Sequence, residues 1–366
     1  MEPTQTRRPI GRRLSWRALT AVSLLALTAS ALAGCAGGGA GGGTGGGAAQ
    51  PTATSGGASA TAAKSSGKVS IYIIGGKADD PFWSTVKRGG EDAAKLVQAE
   101  GGTVTFLGPQ NYDNLGPDAA KLTLTALSQN PSAIVVPDWV PDSEDAAIKE
   151  AVAKGVQVFV YNSGGVAAAQ RTGAVKYIGS DDYEAGKAGG AKFAAAGAKH
   201  ILCVNTVPGA ANSEARCKGI SDGATAAGAT SKELPLASSS FGNPSAVTQA
   251  IKGALLQDSS IDALVTIGVQ DADSAAAAIQ QANAGAKVKL GTFDISQSQL
   301  DRIKAGKQLF AIDQQPYLQG FYAVSAANQL LSYGVLLPQN PLLTGPLLVT
   351  ADNVDAAIAG TKAGVR

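Results

Sequence analysis

The chain has 366 residues, with 30 lysines and arginines, 28 aspartates and glutamates, one histidine and three cysteines. Its formal net charge of +2 arises at the amino end: residues 1–34 carry five arginines and one glutamate, a net +4, which leaves −2 for the remainder. No cluster of basic and aromatic residues follows Arg17, so the composition argues against a nucleic-acid-binding surface. It also argues against a metal site, since His200, an expected surface residue, is the only histidine.

Residues 1–34 have the order of a secretory signal. Five arginines, at positions 7, 8, 12, 13 and 17, form a basic start, and the apolar run over 18–33 is too short for a comfortable membrane span. The run ends in Leu32-Ala33-Gly34-Cys35, which resembles the lipobox of bacterial lipoproteins. The resemblance implies cleavage before Cys35 and lipidation of this cysteine, whereas the alternative is an ordinary cleaved signal with an incidental cysteine.

Residues 35–67 are expected to form a flexible tether, because after Cys35 they are almost wholly glycine, alanine, serine and threonine. No second long apolar run follows, so the mature protein is expected to be anchored at one end and otherwise soluble. From Lys68 onward about 300 residues remain, which exceeds one typical core and predicts two lobes.

From Lys68 onward, short β-branched runs alternate with amphipathic segments. The predicted strands are Val69–Ile74, Thr103–Leu107, Ala133–Val136, Val156–Tyr161, Val175–Ile178, Ile201–Val204, Ala263–Ile267, Val288–Phe293 and Leu309–Ile312. The predicted helices include Phe82–Gln98, Ser143–Lys154, Tyr183–Ala195, Ser245–Leu256 and Gln315–Tyr333. This alternation predicts an α/β fold with two doubly wound parallel-sheet lobes.

The remaining cysteines, Cys203 and Cys217, lie 14 positions apart. In an exported protein they could form a disulfide that closes a short loop and lowers the entropy of the unfolded chain. The alternative is a pair of buried, unlinked thiols.

Polar and aromatic residues follow several predicted strands, where open α/β sheets bind ligands. Asp138 and Trp139 follow the third strand, Asn162 follows the fourth, and Asp294 follows the strand that ends at Phe293. A cleft between two lobes would therefore gather these side chains from both sides.

The sharpest local motif is Asp80-Pro81-Phe82-Trp83, which follows the first strand. Pro81 suits the first turn of a helix, and Asp80 suits its N-cap. Aromatic faces pack on the C–H faces of a sugar, and a neighbouring carboxylate accepts bonds from its hydroxyls. The alternative is a capped helix whose two aromatic residues belong to the core.

The segment DDPFWSTVKRGGEDA resembles the opening of ribose-type, type I periplasmic sugar-binding proteins. The likeness continues in order through YIGSDDYEAGKAGG, NSEARCKGI, GTFD and FAIDQQPYLQGFYA, and spans about residues 68–350. It implies an amino-terminal lobe of residues 68–180 and 315–344 and a carboxy-terminal lobe of residues 181–314 and 345–366. A hinge is implied at the lobe crossover near Asp181 and Asp182.

Position by position, the resemblance implies a ligand-binding role for Asp80, Phe82, Trp83, Asn162, Arg216, Phe241, Asp294 and Gln314. Gln270 or Asp271 is expected to take the place of the usual Asn-Asp of the family. Departures from its pattern are Asn162 and Ser163 in place of a frequent Asp-Arg pair, and Asp138-Trp139 in place of Asn-Pro, which indicates a reshaped pocket.

Each of these side chains also has a structural alternative. Arg216 could pair with Glu214 or cap a helix, Asp294 could be an N-cap, and Phe241 could belong to the core. These alternatives stay open on the sequence alone.

Together these features predict a lipid-anchored extracytoplasmic binding protein, a monomer without catalytic activity or cofactor. It would capture a monosaccharide or polyol by lobe closure and deliver it to an ABC-transporter permease. Within the class, the alternative is a receptor that presents its ligand to a signalling partner.

An exported glycosidase would need two carboxylates across the sugar, which Asp80 and Asp294 could imitate. A transcription regulator with the same core would carry a helix-turn-helix in place of the leader.

Overall fold

The computed structural model describes residues 68–366. The predicted leader, Cys35 and the tether lie outside the described residues. Within residues 68–366 the chain forms two α/β lobes, each built on a six-stranded sheet, which confirms the predicted fold class. Across this same range, no helix is both long and apolar enough to cross a membrane.

The first sheet is wholly parallel, with strand order β11-β5-β4-β3-β1-β2. Its strands are β1 Ser70–Ile74, β2 Thr103–Leu107, β3 Ala133–Val136, β4 Gln157–Tyr161, β5 Tyr177–Ser180 and β11 Leu342–Gly345. The second sheet has the order β12-β10-β9-β8-β6-β7. Its strands are β6 His200–Asn205, β7 Thr230–Pro235, β8 Ala263–Thr266, β9 Lys289–Phe293, β10 Phe310–Asp313 and β12 Leu347–Val349, of which only β12 is antiparallel to its neighbour.

Helices cover both faces of each sheet, as a doubly wound fold requires. They are α1 Pro81–Ala99, α2 Leu115–Leu127, α3 Pro141–Ala153, α4 Gly165–Thr172, α5 Asp182–Ala195, α6 Ala211–Ala226, α7 Pro244–Gln257, α8 Val269–Gln281, α9 Gln297–Lys304, α10 Pro316–Tyr333 and α11 Val354–Lys362. The central strands are apolar on both faces, and Ile71, Ile73, Ile134 and Val135 are fully or almost fully buried.

Three strands are absent from the sequence-based prediction: β7, β11 and β12. Each lies at the edge of its sheet, where one side of the strand has no neighbour to bury it. The polar segment Thr230–Pro235 and the short segments near the carboxyl end therefore lack the continuous apolar run by which a central strand is recognised.

The chain crosses between the sheets after Ser180, after Asp313 and after Gly345. After the first crossing α5 packs against α6, and after the second α10 packs against α1. Both helix pairs approach closely at glycines. A Cβ added to Gly219 of α6 would lie 2.2 Å from the carbonyl oxygen of Tyr183, and one on Gly320 of α10 would lie 2.0 Å from that of Val86.

A disulfide joins Cys203 of β6 to Cys217 of α6, with a Cα–Cα distance of 5.7 Å. It closes the strand-to-helix connection of the second lobe and leaves both cysteines buried within that lobe's core. The bond therefore fixes the amino-terminal half of α6, which carries Arg216, to strand β6 of the second sheet.

Candidate functional site

A cavity of about 340 Å³ lies between the lobes at the carboxyl ends of the strands. The structure places ten of the expected site residues on its wall: Asp80, Phe82, Trp83, Trp139, Asn162, Arg216, Phe241, Gln270, Asp294 and Gln314. Because these residues come from both sheets, the wall of the cavity is formed by the two lobes together.

Asp80 caps helix α1 at one edge of the cavity. Its Oδ1 accepts hydrogen bonds from the backbone N–H of Phe82 at 2.9 Å and of Trp83 at 3.4 Å. Pro81 occupies the first helical position, where its missing N–H has no cost. Burial raises the pKa of Asp80, although these hydrogen bonds oppose the effect.

Edge-to-face aromatic contacts build the wall in the first lobe. The ring of Trp83 lies 5.1 Å from Phe82, 5.4 Å from Trp139 and 6.1 Å from Tyr161, measured between centroids. Trp83 and Trp139 are only 7% and 4% exposed, so they belong to the core as well as to the cavity. Glu144 fixes the Trp139 loop by accepting the N–H of Trp139 at 3.1 Å.

Asn162 and Asp294 occupy equivalent positions in the two lobes, directly after β4 and β9. Both have left-handed backbones, with φ of 61° and 64°, a conformation that Asn and Asp tolerate better than most residues. Asn162 accepts from Trp139 Nε1 at 3.3 Å and donates to Gln319 at 3.2 Å. Two strand ends with the same turn thus present polar side chains from opposite sides of the cavity.

Arg216 is buried and held on three sides. Its Nε donates to Asp182 at 2.8 Å, its Nη1 donates to the carbonyl of Ile267 at 2.6 Å, and its guanidinium lies 4.7 Å from the ring of Phe293. Burial disfavours its charge, but the Asp182 and Asp294 carboxylates raise the pKa of Arg216 above its ordinary value. The guanidinium is therefore a fixed cation on the cavity wall.

The alternative partner, Glu214, does not contact Arg216. Its Oε1 accepts from Gly209 N–H at 2.7 Å and from Asn205 Nδ2 at 3.2 Å. Glu214 thus supports the connection between β6 and α6, and Asp182 at the start of α5 is the acid that pairs with the arginine.

Asp294 lies beside Arg216 and accepts a hydrogen bond from Gln314 Nε2 at 2.5 Å. Burial raises the pKa of Asp294 to about 7, against the opposing effects of Arg216 and of the Gln314 hydrogen bond. Its carboxyl group can thus gain or lose a proton near neutral pH, and it can accept or donate hydrogen bonds in the cavity.

Two residues expected in the site do not line the cavity. Asp138 is fully buried, and its Oδ2 pairs with Arg171 Nη2 at 2.5 Å within the first lobe, away from the cavity. Asp271 accepts from Thr206 Oγ1 at 2.7 Å inside the second lobe. The sequence offered Gln270 or Asp271 for this position, and of the two only Gln270 lines the cavity.

Sequence reasoning missed several polar residues of the wall, namely Tyr112, Asp113, Asn114, Asn212 and Ser213. Tyr112 follows β2, so the rule that points to the ends of strands could have found it. Asn212 and Ser213 begin α6 after β6 and carry the same signal. Among the described residues, no group of three or more His, Cys, Asp or Glu side chains could hold a metal ion.

The lobes also touch directly at the cavity. The N–H of Ala211, at the start of α6, donates to the carbonyl oxygen of Trp139 at 2.8 Å. The rings of Tyr112 and Phe241 meet edge to face with centroids 4.9 Å apart. These contacts join the two walls of the cleft, so the structure represents a closed arrangement of the lobes.

Comparison with known proteins reveals similarity along most of the chain. A xylose/arabinose-binding protein of Sulfolobus acidocaldarius is 26% identical over 316 residues, which cover 80% of this chain and 73% of that protein. A carbohydrate transporter of Acidothermus cellulolyticus 11B, solved in complex with myo-inositol, is 29% identical with a TM-score of 0.74, covering 82% of this chain and 100% of that one.

A glucose-galactose binding protein of Geobacillus stearothermophilus shares the fold, with a TM-score of 0.68 at 18% identity over 78% of this chain and 99% of that one. Residues 71–334 match the periplasmic binding protein domain, and this range is well over half of the chain. With its two parallel-sheet lobes around one cleft, the chain belongs to the periplasmic binding protein family and has the fold of its type I members.

Proposed function

We propose that this protein captures a monosaccharide or polyol between its lobes and does not transform it. The observation that carries the proposal is the cavity wall, which combines buried aromatic rings with the carboxyl group of Asp294 and with an arginine that Asp182 holds in place. Aromatic faces suit the C–H faces of a sugar ring, while the polar groups suit its hydroxyls. The similarity to binders of xylose, arabinose and myo-inositol supports this choice of ligand class.

Ligand selectivity would follow from hydrogen-bond pairing in the closed cleft. A buried polar group left without its partner costs about 1–3 kcal/mol, so a sugar with one misplaced hydroxyl would bind about fivefold to 150-fold more weakly. The full chain should therefore be screened by calorimetry against xylose, arabinose, glucose, galactose and myo-inositol.

The test of the site uses Trp83→Ala and Asp294→Ala, each compared with the wild type by calorimetry and circular dichroism. Both variants should keep their secondary structure and lose measurable binding. The matched controls are Tyr333→Ala and Asp301→Ala, because both side chains are exposed and lie away from the cavity. Near-native affinity in both cavity variants would refute the site, and conversion of a labelled sugar would favour the glycosidase instead.

The same proposal includes lipid anchoring at Cys35, a tether over residues 35–67, and delivery of the ligand to an ABC-transporter permease by a monomer. We propose lobes of residues 68–180 with 315–344 and of residues 181–314 with 345–366, which agree with the crossings after Ser180, Asp313 and Gly345. In bacteria, Cys35→Ser should abolish incorporation of labelled palmitate and release the protein from membranes. Full membrane retention of this variant would contradict the anchor.

A further inference from the structure

The carboxylate of Asp80 already has a full set of donors from the protein. Its Oδ1 accepts the N–H groups of Phe82 and Trp83, and its Oδ2 accepts the hydroxyl of Tyr112 at 3.2 Å and the side-chain amide of Gln270. A carboxylate offers about four lone-pair sites, so these four donors occupy all of them. In this closed arrangement Asp80 has no acceptor site left for a ligand hydroxyl.

Gln270 belongs to the second lobe, at the start of α8, while Asp80 and Tyr112 belong to the first. The bond between Gln270 and Asp80 therefore joins the two lobes directly, side chain to side chain. Asp80 is only 8% exposed, and a hydrogen bond to a buried charged acceptor is among the stronger kinds. Opening the lobes would break it.

Tyr112 links both walls of the cleft. Its hydroxyl accepts from the N–H of Lys77 at 3.0 Å while it donates to Asp80, and its ring packs on Phe241 of the second lobe. Burial raises the pKa of Tyr112, so the hydroxyl keeps its proton and remains a donor. Gly76 makes room for it, since a Cβ there would lie 2.6 Å from the hydroxyl oxygen.

We propose that Asp80, Tyr112 and Gln270 form an interlobe latch that holds the cleft closed before a ligand binds. Tyr112 is then a positioning residue for Asp80 and Phe241, and hydroxyl recognition falls to Arg216 and Asp294. The inference rests on the proposed function for its ligand, but the latch itself acts in the ligand-free protein. It would raise affinity by increasing the fraction of molecules that are already in the binding-competent state.

The amide of Ala211 reports lobe opening without any ligand, because its hydrogen-bond acceptor, the Trp139 carbonyl, lies in the other lobe. Hydrogen exchange at this amide is measured by residue-resolved mass spectrometry on the full chain. Gln270→Ala should accelerate it about tenfold, and Tyr112→Phe, which removes only the hydroxyl, about threefold to tenfold. The controls are Gln281→Ala, at the exposed far end of α8, and Tyr333→Phe, which should leave exchange unchanged.

Affinity for the sugar found in the screen should then weaken in each variant by no more than the factor by which exchange accelerates. Unchanged Ala211 exchange in both variants would overturn the latch. A loss of affinity with unchanged exchange would also overturn it and make Gln270 a direct ligand contact. If the wild type binds none of the five sugars and polyols, the proposed function fails, while the exchange measurement still decides the latch.

Discussion

Asp294 shows how the cleft alters a single residue. It lies next to Arg216, accepts from Gln314, and is followed by residues that turn away from the cavity into α9. Removal from water disfavours its charge more than the neighbouring arginine favours it, so its pKa rises from 3.8 to about 7. The folded protein therefore holds a proton on Asp294 that the unfolded chain releases near pH 4.

This difference predicts a pH dependence of stability. Between about pH 4 and 7 the folded state binds the proton of Asp294 more strongly, so the contribution of Asp294 to the free energy of unfolding should fall as pH rises and level off above pH 7. Asp294 alone can contribute a slope of up to about 1.4 kcal/mol per pH unit. Urea unfolding at several pH values should give a shallower slope for Asp294→Asn than for the wild type.

Asp301→Asn, an exposed change in α9, is the control and should leave the slope as it is. Some slope should survive in Asp294→Asn, because burial also raises the pKa of Asp138 and of Asp182 to about 6. An unchanged slope in Asp294→Asn would contradict the raised pKa.

Arg216 predicts a second effect at this scale. Arg216→Lys keeps the positive charge but replaces a planar fork with one ammonium, which cannot reach Asp182, the Ile267 carbonyl and a ligand together. Sugar affinity should fall by about tenfold to a hundredfold, the equivalent of one hydrogen bond to a charged group. Calorimetry measures this loss of affinity. The control is Lys218→Arg, on an exposed turn of the same helix, which should bind the sugar as tightly as the wild type does.

At the scale of elements, α5 and α6 depend on glycine for their close packing. Gly186 and Gly190 of α5 face Gly219 and Gly223 of α6, and an added Cβ at any of them would come within 2.3 Å of a backbone oxygen of the other helix. Such overlap with backbone cannot be relieved by rotating a side chain. The helices would have to separate.

Gly219→Ala should therefore lower the free energy of unfolding by about 1–3 kcal/mol, because the new methyl group overpacks the helix interface. Gly253→Ala in α7 is the matched control, since no atom lies within 4 Å of its added Cβ. There alanine should stabilise the helix by about 0.5–1 kcal/mol. Denaturant unfolding should move the two midpoints in opposite directions, and equal shifts would contradict the packing argument.

The disulfide is a second feature at this scale. The connection it closes carries cavity residues, among them Val207, Ala210, Asn212 and Arg216. Replacing both Cys203 and Cys217 by serine should cost about 3 kcal/mol of stability, as expected for a loop of about 15 residues. Unfolding of the oxidised and the reduced wild type should differ by a similar amount. If the free energies of unfolding of the oxidised and the reduced wild type differ by less than about 1 kcal/mol, the predicted stabilisation by the disulfide is wrong.

At the scale of the whole molecule, the cleft makes the two lobes one functional unit. Both lobes contribute aromatic and polar side chains to the cleft, and three chain crossings connect the lobes. A ligand that touches both lobes binds only the closed, folded state. Ligand binding and global stability are consequently linked.

At a ligand concentration one hundred times the dissociation constant, the free energy of unfolding should rise by about 2.7 kcal/mol. Thermal unfolding of the full chain with increasing amounts of the bound sugar should show a continuous rise in melting temperature. Asp294→Ala should show no rise with the same sugar. A rise of equal size in this variant would place binding outside the cleft.

The central strands and most helices could be predicted because their signals are local. The run Val69–Ile74 is apolar, and Pro81 follows a capping aspartate, so each segment carries its own evidence. Edge strands such as β7 lack that signal, since half of their hydrogen-bonding groups and much of their side-chain surface face water. Reasoning from strand ends located part of the cavity wall, including Trp139, Asn162 and Asp294, because strand ends in a parallel sheet converge. The wall residues Arg216, Phe241, Gln270 and Gln314 were expected only from the resemblance to a known family.

The sequence by itself determined the doubly wound architecture and the family, through periodic apolar runs and motifs that recur in order. Only the tertiary structure decided what each polar side chain at a strand end does. Asp138 turns to Arg171, and Asp80 meets Tyr112 and Gln270, which lie 32 and 190 positions along the chain. Such contacts follow from the docking of whole lobes, and no local pattern of residues specifies them.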